Sequence, residues 1–591
     1  MCGISAWFSE KTILIKDFNN FRDSVAHRGP DNSQTKIYKY DNKFVALGHR
    51  RLSIIDLNDK ANQPMSYGSY QIVFNGEIYN YLELKDELKK KGVTFETNSD
   101  TEVLLKSYIY WKEKCLDKFN GMFSFLIVDE DKEKIFFARD RFGIKPLYYY
   151  RDDHTFYFAS EIKQFITLRD FKPVGNINAI GNFIDNRYLD YSEETFFKDV
   201  FQVRGGEAGF VNLKNLKMDK YIWYDLNKKN IKSTGTFKEK FNKSIDYRLR
   251  SDVEVGSCLS GGVDSSSIVC LADKKLSDTK KKYTLQTFTS CFKDKEFDER
   301  DLIKITKKQT SIKTHYIFPQ EKEFFKDIDK LIYFQDEPFW SSSIYAQSCV
   351  FKEANKNGVK VMLDGQGADE IFCGYSQIFY PTYFKSLPLK KKIEEILNAN
   401  NKRYVIKLLL KILFKKKENK KISIIEKKYD DKFNNKFRSI KAHTIHFIKF
   451  HLPALLHYED RNSMRYSIET RLPFLDYQLV EEGYNIVDYK KIGDGLGKKI
   501  IRDSLRGIAP DEILYNKIKK GFITPQRQWM DINKQTIIEN ISLLLSLNIF
   551  KKDNFKQILE NLKKNVYNEG LVMRLYTLSI WIKIFKIKRI V

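Results

Sequence analysis

The chain lacks the features that would send it into a membrane or an oxidising compartment. Its seven cysteines, Cys2, Cys115, Cys258, Cys270, Cys291, Cys349 and Cys373, are scattered, odd in number and nowhere spaced CxxC. That argues against both a disulfide framework and a zinc ribbon. No uninterrupted apolar run reaches bilayer length. The best candidate, Leu571 to Val591, is broken by Arg574, Lys583, Lys586, Lys588 and Arg589, so no membrane span is expected. No basic region followed by an apolar stretch and a cleavage site opens the chain, and no signal peptide is expected. A cytoplasmic location fits these absences. His443, His446, His451 and His457 cluster loosely, but without acidic or cysteine ligands at a familiar spacing.

What is present is length and apolar substance. A chain of 591 residues asks for two to four domains, and 42% hydrophobic with 14% aromatic residues is ample for folded cores. The formal charge of +26 accompanies a lysine-rich composition. No aromatic-interleaved basic motif goes with it, so solvated lysines are expected rather than a nucleic-acid partner. Lys390 to Lys421 is a local exception. Lysine runs there flank YVIKLLLKILF, an amphipathic basic helix suited to solvent, a partner or a membrane surface.

The first two hundred residues read mainly as strands, at Phe44–Ile55, Tyr70–Phe74, Met122–Val128, Lys134–Ala138 and Leu147–Tyr150. Helical patterns intervene at Tyr81–Lys91 and from Thr101 to about Phe119. This predicts a layered α+β domain over 1–211, followed by a polar linker over 212–236. Over 237–591 the rhythm changes. Strands at Val253–Leu259, Tyr283–Cys291, Thr314–Phe318 and Val359–Leu363 alternate with helices, which predicts an α/β domain with a doubly wound parallel sheet. Beyond Gly374 the pattern is almost wholly helical. Two glycine-rich loops fall at the carboxyl ends of strands, where such sheets bind ligands.

Cys2 follows the initiator methionine and precedes Gly3 and Ile4. Removal of Met1 would leave it an α-amine, whose pKa near ~8 lets it serve as base for its own thiol. The segments around it carry a resemblance. His27-Arg28-Gly29-Pro30-Asp31, Arg51-Leu52-Ser53-Ile54-Ile55, Asn75-Gly76-Glu77-Ile78-Tyr79-Asn80, Ser99-Asp100, Ala138-Arg139-Asp140, Gly143 to Tyr148 and Ala159-Ser160-Glu161 resemble, in order, the class II glutamine amidotransferase family. The resemblance implies the N-terminal-nucleophile (αββα) fold and release of ammonia from glutamine at Cys2. By the same match, the Asn75 side chain and the Gly76 N–H face the oxyanion, Arg51 takes the α-carboxylate of glutamine, and Asp100 takes its α-ammonium. Leu52, Ser53, Ile54, Ile55 and Glu77 complete that site. A purely local reading of Asp100 also exists: Ser99 and Glu102 form a capping-box pattern, in whose first turn an acid favours the helix dipole.

Leu259-Ser260-Gly261-Gly262-Val263-Asp264-Ser265 follows a strand and opens a helix. Its backbone N–H groups suit pyrophosphate, and the Gly-Lys-Ser/Thr ending of a Walker loop is absent. The string resembles the ATP-pyrophosphatase family, which implies binding of ATP by Leu259, Ser260, Gly261, Gly262, Asp264, Ser265, Ser290, Asp364 and Gly365. Asp364-Gly365-Gln366-Gly367-Ala368-Asp369-Glu370, Asp460-Arg461-Asn462-Ser463-Met464, Glu469 to Asp476 and Lys517-Ile518-Lys519-Lys520-Gly521-Phe522 resemble the asparagine synthetase family. That implies Mg2+ on Asp264 and Asp369, as hard cations prefer carboxylates, and a phosphate-neutralising Lys519. Gln366 departs from the family, whose well-known members carry glutamate there. A carboxylate can take a proton from attacking ammonia and an amide cannot.

The expected substrates are therefore glutamine, ATP and either aspartate or another carboxylate, such as a sugar acid of a surface polysaccharide. The oligomeric state stays open, a homodimer included. A tRNA-modifying ATP-pyrophosphatase would leave residues 1–210 without a role, and a non-catalytic relative would not need Cys2, Asp264 and Asp369 intact.

Overall fold

The computed structural model describes residues 2–228, 235–278, 283–398, 423–426, 439–516 and 521–591, with single residues 406, 410 and 429. Twelve strands build two antiparallel sheets in the first part of the chain. The first sheet runs in the order β10-β8-β9-β1-β3-β2. Its strands are Gly3–Ser9 (β1), Asn32–Tyr40 (β2), Lys43–Arg51 (β3), Tyr148–Arg151 (β8), Thr155–Ala159 (β9) and Phe201–Gln202 (β10). The second runs β12-β11-β7-β6-β5-β4, with Met65–Tyr67 (β4), Tyr70–Ile78 (β5), Gly121–Asp129 (β6), Lys134–Arg139 (β7), Glu207–Asn212 (β11) and Met218–Ile222 (β12).

The sheets face each other. Ile4, Ala6 and Phe8 of β1 meet Val73, Leu126, Val128, Ile135 and Phe137 of the opposing sheet in one core. The outer face of β1 is covered too: Trp7 packs edge-on against Phe18 and Phe21 of the helix Ile15–Asp23, with ring centroids 5.3 and 5.4 Å apart. Behind the second sheet, Phe125 and Ile127 pack on Val103, Leu104 and Tyr108 of the helix Asp100–Trp111. The layers are helix, sheet, sheet, helix, the αββα arrangement. The polar stretch 212–236 is not all connector, because edge strand β12 lies within it.

Val255–Cys258 (β13), Gln286–Ser290 (β14), Lys313–Ile317 (β15), Val361–Leu363 (β16) and Glu469–Arg471 (β17) form a parallel sheet in the order β15-β14-β13-β16-β17. The winding reverses between β13 and β16, so a crevice opens beyond their carboxyl ends. Both glycine-rich loops leave from there. The long interrupted apolar segment near the end of the chain becomes the helix Glu569–Ile584. It is a core helix: Trp581 lies edge-on between Phe196 and Phe197, with centroids 5.4 and 5.1 Å away. No helix of the described residues is long and apolar enough to cross a membrane. Of the lysine-rich 390–421 segment, the structure describes the helix Leu389–Asn398, and most of the remainder lies outside the described residues.

The two parts share an apolar core, in which Leu52, Ile54, Tyr79 and Met122 join Leu363, Leu456, Met464 and Phe474. They also share a buried ionic network. Fully buried Arg28 donates to Glu161 of its own domain (2.7 Å) and to both oxygens of Asp460 on the helix Leu452–Met464 (2.7 and 3.0 Å). Burial opposes ionisation of Asp460, but the Arg28 guanidinium outweighs it and holds the carboxyl down at about 2. Asp336, beyond the helix Glu321–Gln335, accepts from the Ile162 N–H (2.9 Å) and Lys163 N–H (3.1 Å), and pairs with Lys163 Nζ (2.9 Å) and Arg461 (3.3 Å).

Removing one partner of such a network strands the others without solvent. Asp336→Ala should therefore destabilise the protein by about 3–5 kcal/mol, read as an earlier urea midpoint. A midpoint shifted no more than by a surface substitution would show that the network does not join the domains energetically.

Candidate functional site

Two clusters of the expected residues form, one per domain. Cys2 lies immediately before β1 and is 8% exposed. Its backbone N–H donates to Asn75 Oδ1 at 3.0 Å, and its carbonyl accepts from Arg28 Nε at 3.0 Å. Burial pushes the thiol up, while the Leu52 backbone and the Arg51 charge pull it down. Asn75 is completely buried on β5, and its Nδ2 has no hydrogen-bond partner. An unpaired buried amide donor costs about 1–3 kcal/mol, so an acceptor arriving there is favoured.

Gly76 follows with φ of +149°, and a Cβ at that position would lie 2.1 Å from the Met122 carbonyl oxygen. Only glycine passes. Along the same strand the Phe74 N–H goes to Gln63 Oε1 (2.6 Å) and the Ile78 N–H to Asp100 Oδ2 (2.9 Å). By strand alternation the Gly76 N–H faces that side as well.

Arg51 ends β3, but its guanidinium is already engaged. It donates to the Asn58 carbonyl (3.1 Å), Asn62 Oδ1 (2.7 Å), the Ile55 carbonyl (3.4 Å) and the Asp56 carbonyl. Pairing with an incoming carboxylate requires some of these bonds to be exchanged. Within the loop that Arg51 braces, Leu52, Ile54 and Ile55 are buried, and the Ser53 N–H donates to Asp31 at 2.8 Å.

Asp100 opens its helix from inside the site, and burial raises its carboxyl to about 6. The capping pattern is only half realised. Ser99 accepts from the Glu102 N–H (3.3 Å), but the Glu102 carboxylate turns to the N–H groups of Glu96 and Thr97. Glu77 is buried too, and burial drives its carboxyl well up.

The other domain closes this site. Arg471 of β17 lies 3.4 Å from Glu77 and donates to Glu469 Oε1 at 2.6 Å. The sequence marked 469–476 only as a motif. The position of this pair against the first domain depends on a three-residue strand that periodicity does not reveal.

In the second cluster, Leu259 is buried and Ser260 joins Ser265, with the Ser260 N–H and Oγ each 3.1 Å from Ser265 Oγ. Gly261 has φ of +68°, and a Cβ there would meet Leu302 at 2.7 Å. Gly262 caps the helix Val263–Ser277 without any side-chain cap, leaving its first N–H groups for a ligand. Ser290 is buried at the end of β14, its Oγ without a partner. Asp364 and Gly365 follow β16; the Asp364 N–H donates to the Arg471 carbonyl at 3.0 Å. Gln366 is half-buried on the same loop. Lys519 lies outside the described residues.

Asp264 and Asp369 converge. Lys498 Nζ contacts both, at 2.7 Å from Asp369 Oδ1 and hydrogen-bonded to Asp264 Oδ2, and the two charges outweigh burial to lift the ammonium. Gly374 makes room, since a Cβ there would lie 1.7 Å from Asp369 Oδ1. Sequence reasoning passed over Lys498, because one lysine in a lysine-rich chain carries no signal. His457, whose sequence neighbours offer no acidic ligand at a familiar spacing, receives Asp190 at 2.9 Å and Glu337 at 4.0 Å from distant segments.

Comparison with known proteins gives a family match in each part of the chain. Residues 1–223 match the glutamine amidotransferase domain model, and residues 236–583 match the asparagine synthase model. The asparagine synthetase (glutamine-hydrolyzing) 1 of Bacillus subtilis (strain 168) is 31% identical, over 95% of this chain and 93% of its own. Asparagine synthetase (glutamine-hydrolyzing) 3 of the same organism is 30% identical over 88% and 86%. Amidase chry2 of Gibberella zeae is 25% identical over 90% of both chains. The chain belongs to the asparagine synthase family and is an ATP-dependent ligase that draws its nitrogen from glutamine.

Proposed function

We propose that the protein makes asparagine from aspartate, with two chemistries in two domains. The observation that carries the glutaminase half is the buried, unpartnered Asn75 Nδ2 next to the Gly76 N–H, with Cys2 tied to the same asparagine. In this reading, loss of Met1 turns the Cys2 nitrogen into the amine that deprotonates its own thiol. The sulfur attacks the side-chain amide carbon of glutamine. Asn75 and Gly76 hold the oxyanion, ammonia leaves, and water releases glutamate from the thioester. Arg51, Leu52, Ser53, Ile54, Ile55, Glu77 and Asp100 bind the amino-acid end.

In the second domain the loops after β13 and β16 hold ATP, and the acceptor carboxylate attacks its α-phosphate. Carboxylate is a poor electrophile, and AMP makes it a good one. Asp264 and Asp369 fit Mg2+: their oxygens already converge on one cation, the Lys498 ammonium. When bound there, Mg2+ would neutralise the pyrophosphate that leaves. Lys519 is assigned the same task from its motif alone.

A second reading keeps the chemistry and changes the acceptor to another carboxylate, such as a sugar acid. Gln366 favours it, and so does a relative of similar coverage named an amidase rather than an asparagine synthetase. Incubating the protein with glutamine, ATP and aspartate separates the two. Asparagine supports the first; glutamate release without asparagine supports the second.

Cys2→Ala should abolish glutamine-dependent synthesis, by about 1,000-fold or more, and leave ammonium-dependent synthesis intact. Asn75→Ala should lower the glutamine-dependent rate about 100–1,000-fold, again without loss of the ammonium reaction. Loss of both reactions in folded protein would sink the two-site scheme. Asp100 adds a pH test. Its carboxyl, raised to about 6 by burial, must be ionised to hold the α-ammonium of glutamine. The KM for glutamine should rise as pH falls through that value, and Asp100→Asn should raise KM and flatten this limb.

A further inference from the structure

Gln366 leaves the amination without its usual proton acceptor, and the same crevice holds an unused carboxylate. Glu459, on the helix Leu452–Met464, is 1% exposed. The Gln347 amide donates to its Oε2, Asp364 forms a carboxyl pair with it, and no amide, hydroxyl or ammonium donor reaches its buried Oε1. Asp364 begins the Gln366 loop. Cys258, which feels the charges of both carboxyls, ends β13 just before the other loop. Glu459 feels the charge of Lys145 of the glutaminase domain, and the next residue, Asp460, holds the Arg28 that grips the Cys2 carbonyl. Glu459 therefore sits where the nucleotide loops meet the face turned towards the ammonia source.

We propose that Glu459 is the general base of the amination, receiving at Oε1 the proton that Gln366 cannot take. This rests on the two-domain reading above. The ammonia nitrogen attacks the acyl-adenylate carbon and a C–N bond forms. One N–H proton passes to Glu459 Oε1, the C–O bond to AMP breaks, and its electron pair leaves with the phosphate. Acyl-AMP and ammonia become amide, AMP and one proton, which the carboxyl pair holds until product departs. Burial and the Asp364 carboxyl push Glu459 well up. Surroundings that favour the protonated form make the ionised carboxyl a stronger proton acceptor than a solvated one.

The test uses the full chain carrying Glu459→Gln, whose amide keeps the size and can still bond Asp364. Ammonium-dependent asparagine formation should fall at least about 100-fold. Aspartate-dependent exchange of pyrophosphate into ATP, which precedes ammonia, should fall less than about tenfold. Hydroxylamine is neutral at pH 7 and loses its proton more readily after attack, so hydroxamate formation should suffer far less than amide formation. Adding Gln366→Glu to the variant should restore amide formation at least about tenfold. Amide formation within about threefold of the parent would overturn the proposal. So would equal losses with ammonium and hydroxylamine, or loss of exchange together with both. Exchange in the parent reports on the aspartate reading itself: its absence there counts against the acceptor, not against Glu459.

Discussion

The Arg28–Asp460 ion pair is the contact on which the rest of the molecule turns. A guanidinium with no solvent contact must spend its donors on protein, and Arg28 spends them in three directions: the Cys2 carbonyl, Glu161, and Asp460 of the other domain. Two charges buried at this depth cost several kcal/mol each to desolvate and recover it only if the geometry is met. That makes the pair a poor source of stability but a strict gauge of register. Cys2 can be in place only when the helix Leu452–Met464 is also in place.

The register extends in both directions from that helix. Towards the first domain, Asp460 faces Arg28 and Lys145, with the Lys145 ammonium 3.8 Å away. Towards the nucleotide crevice, Glu459 faces Asp364 and Gln347. Two consecutive residues on one helix thus reach different partners, as the 100° step between helical neighbours allows, and the Lys145 charge acts on both. β17 repeats the device. The Arg471 side chain lies against Glu77 of the glutaminase site, while its carbonyl accepts from the Asp364 N–H. One helix and one short strand thus each carry contacts to both centres. The ordering of one centre should not be independent of the other.

Much of this was legible in the sequence, and the rest was not, for physical reasons. β5, β6 and β7 announce themselves as apolar runs between turns and lie where expected. β1 does not. All seven residues of GISAWFS are buried, because sheet covers one face and the Trp7–Phe18–Phe21 cluster the other, so no alternation marks it. Leu52 to Ile55 read as a continuation of β3, but Arg51 captures the carbonyls of Ile55, Asp56 and Asn58 and bends the chain into a loop. β17 is too short for periodicity to reveal. Among site residues, those inside the motif strings were found, whereas Lys498, at the helix start after Gly497, and Glu459, just ahead of the Asp460 string, were not. Gly76, Gly261 and Gly374 are each required by a backbone or side chain that leaves no room for a Cβ, and such demands leave a readable pattern. Lys498 and Glu459 are placed by tertiary packing alone.

The substitution at 366 gains meaning from that packing. A loop residue that loses its carboxyl leaves the family's chemistry incomplete only if no other acceptor reaches the same space. Here a second carboxyl enters from a helix distant in sequence, buried and with no donor on one oxygen. Its neighbour Asp460 holds the Arg28 that bonds the Cys2 carbonyl. A base on the helix is held by the contact between domains. The proton acceptor is thereby tied to the same register that positions Cys2, and nitrogen release and nitrogen capture rest on one rigid element.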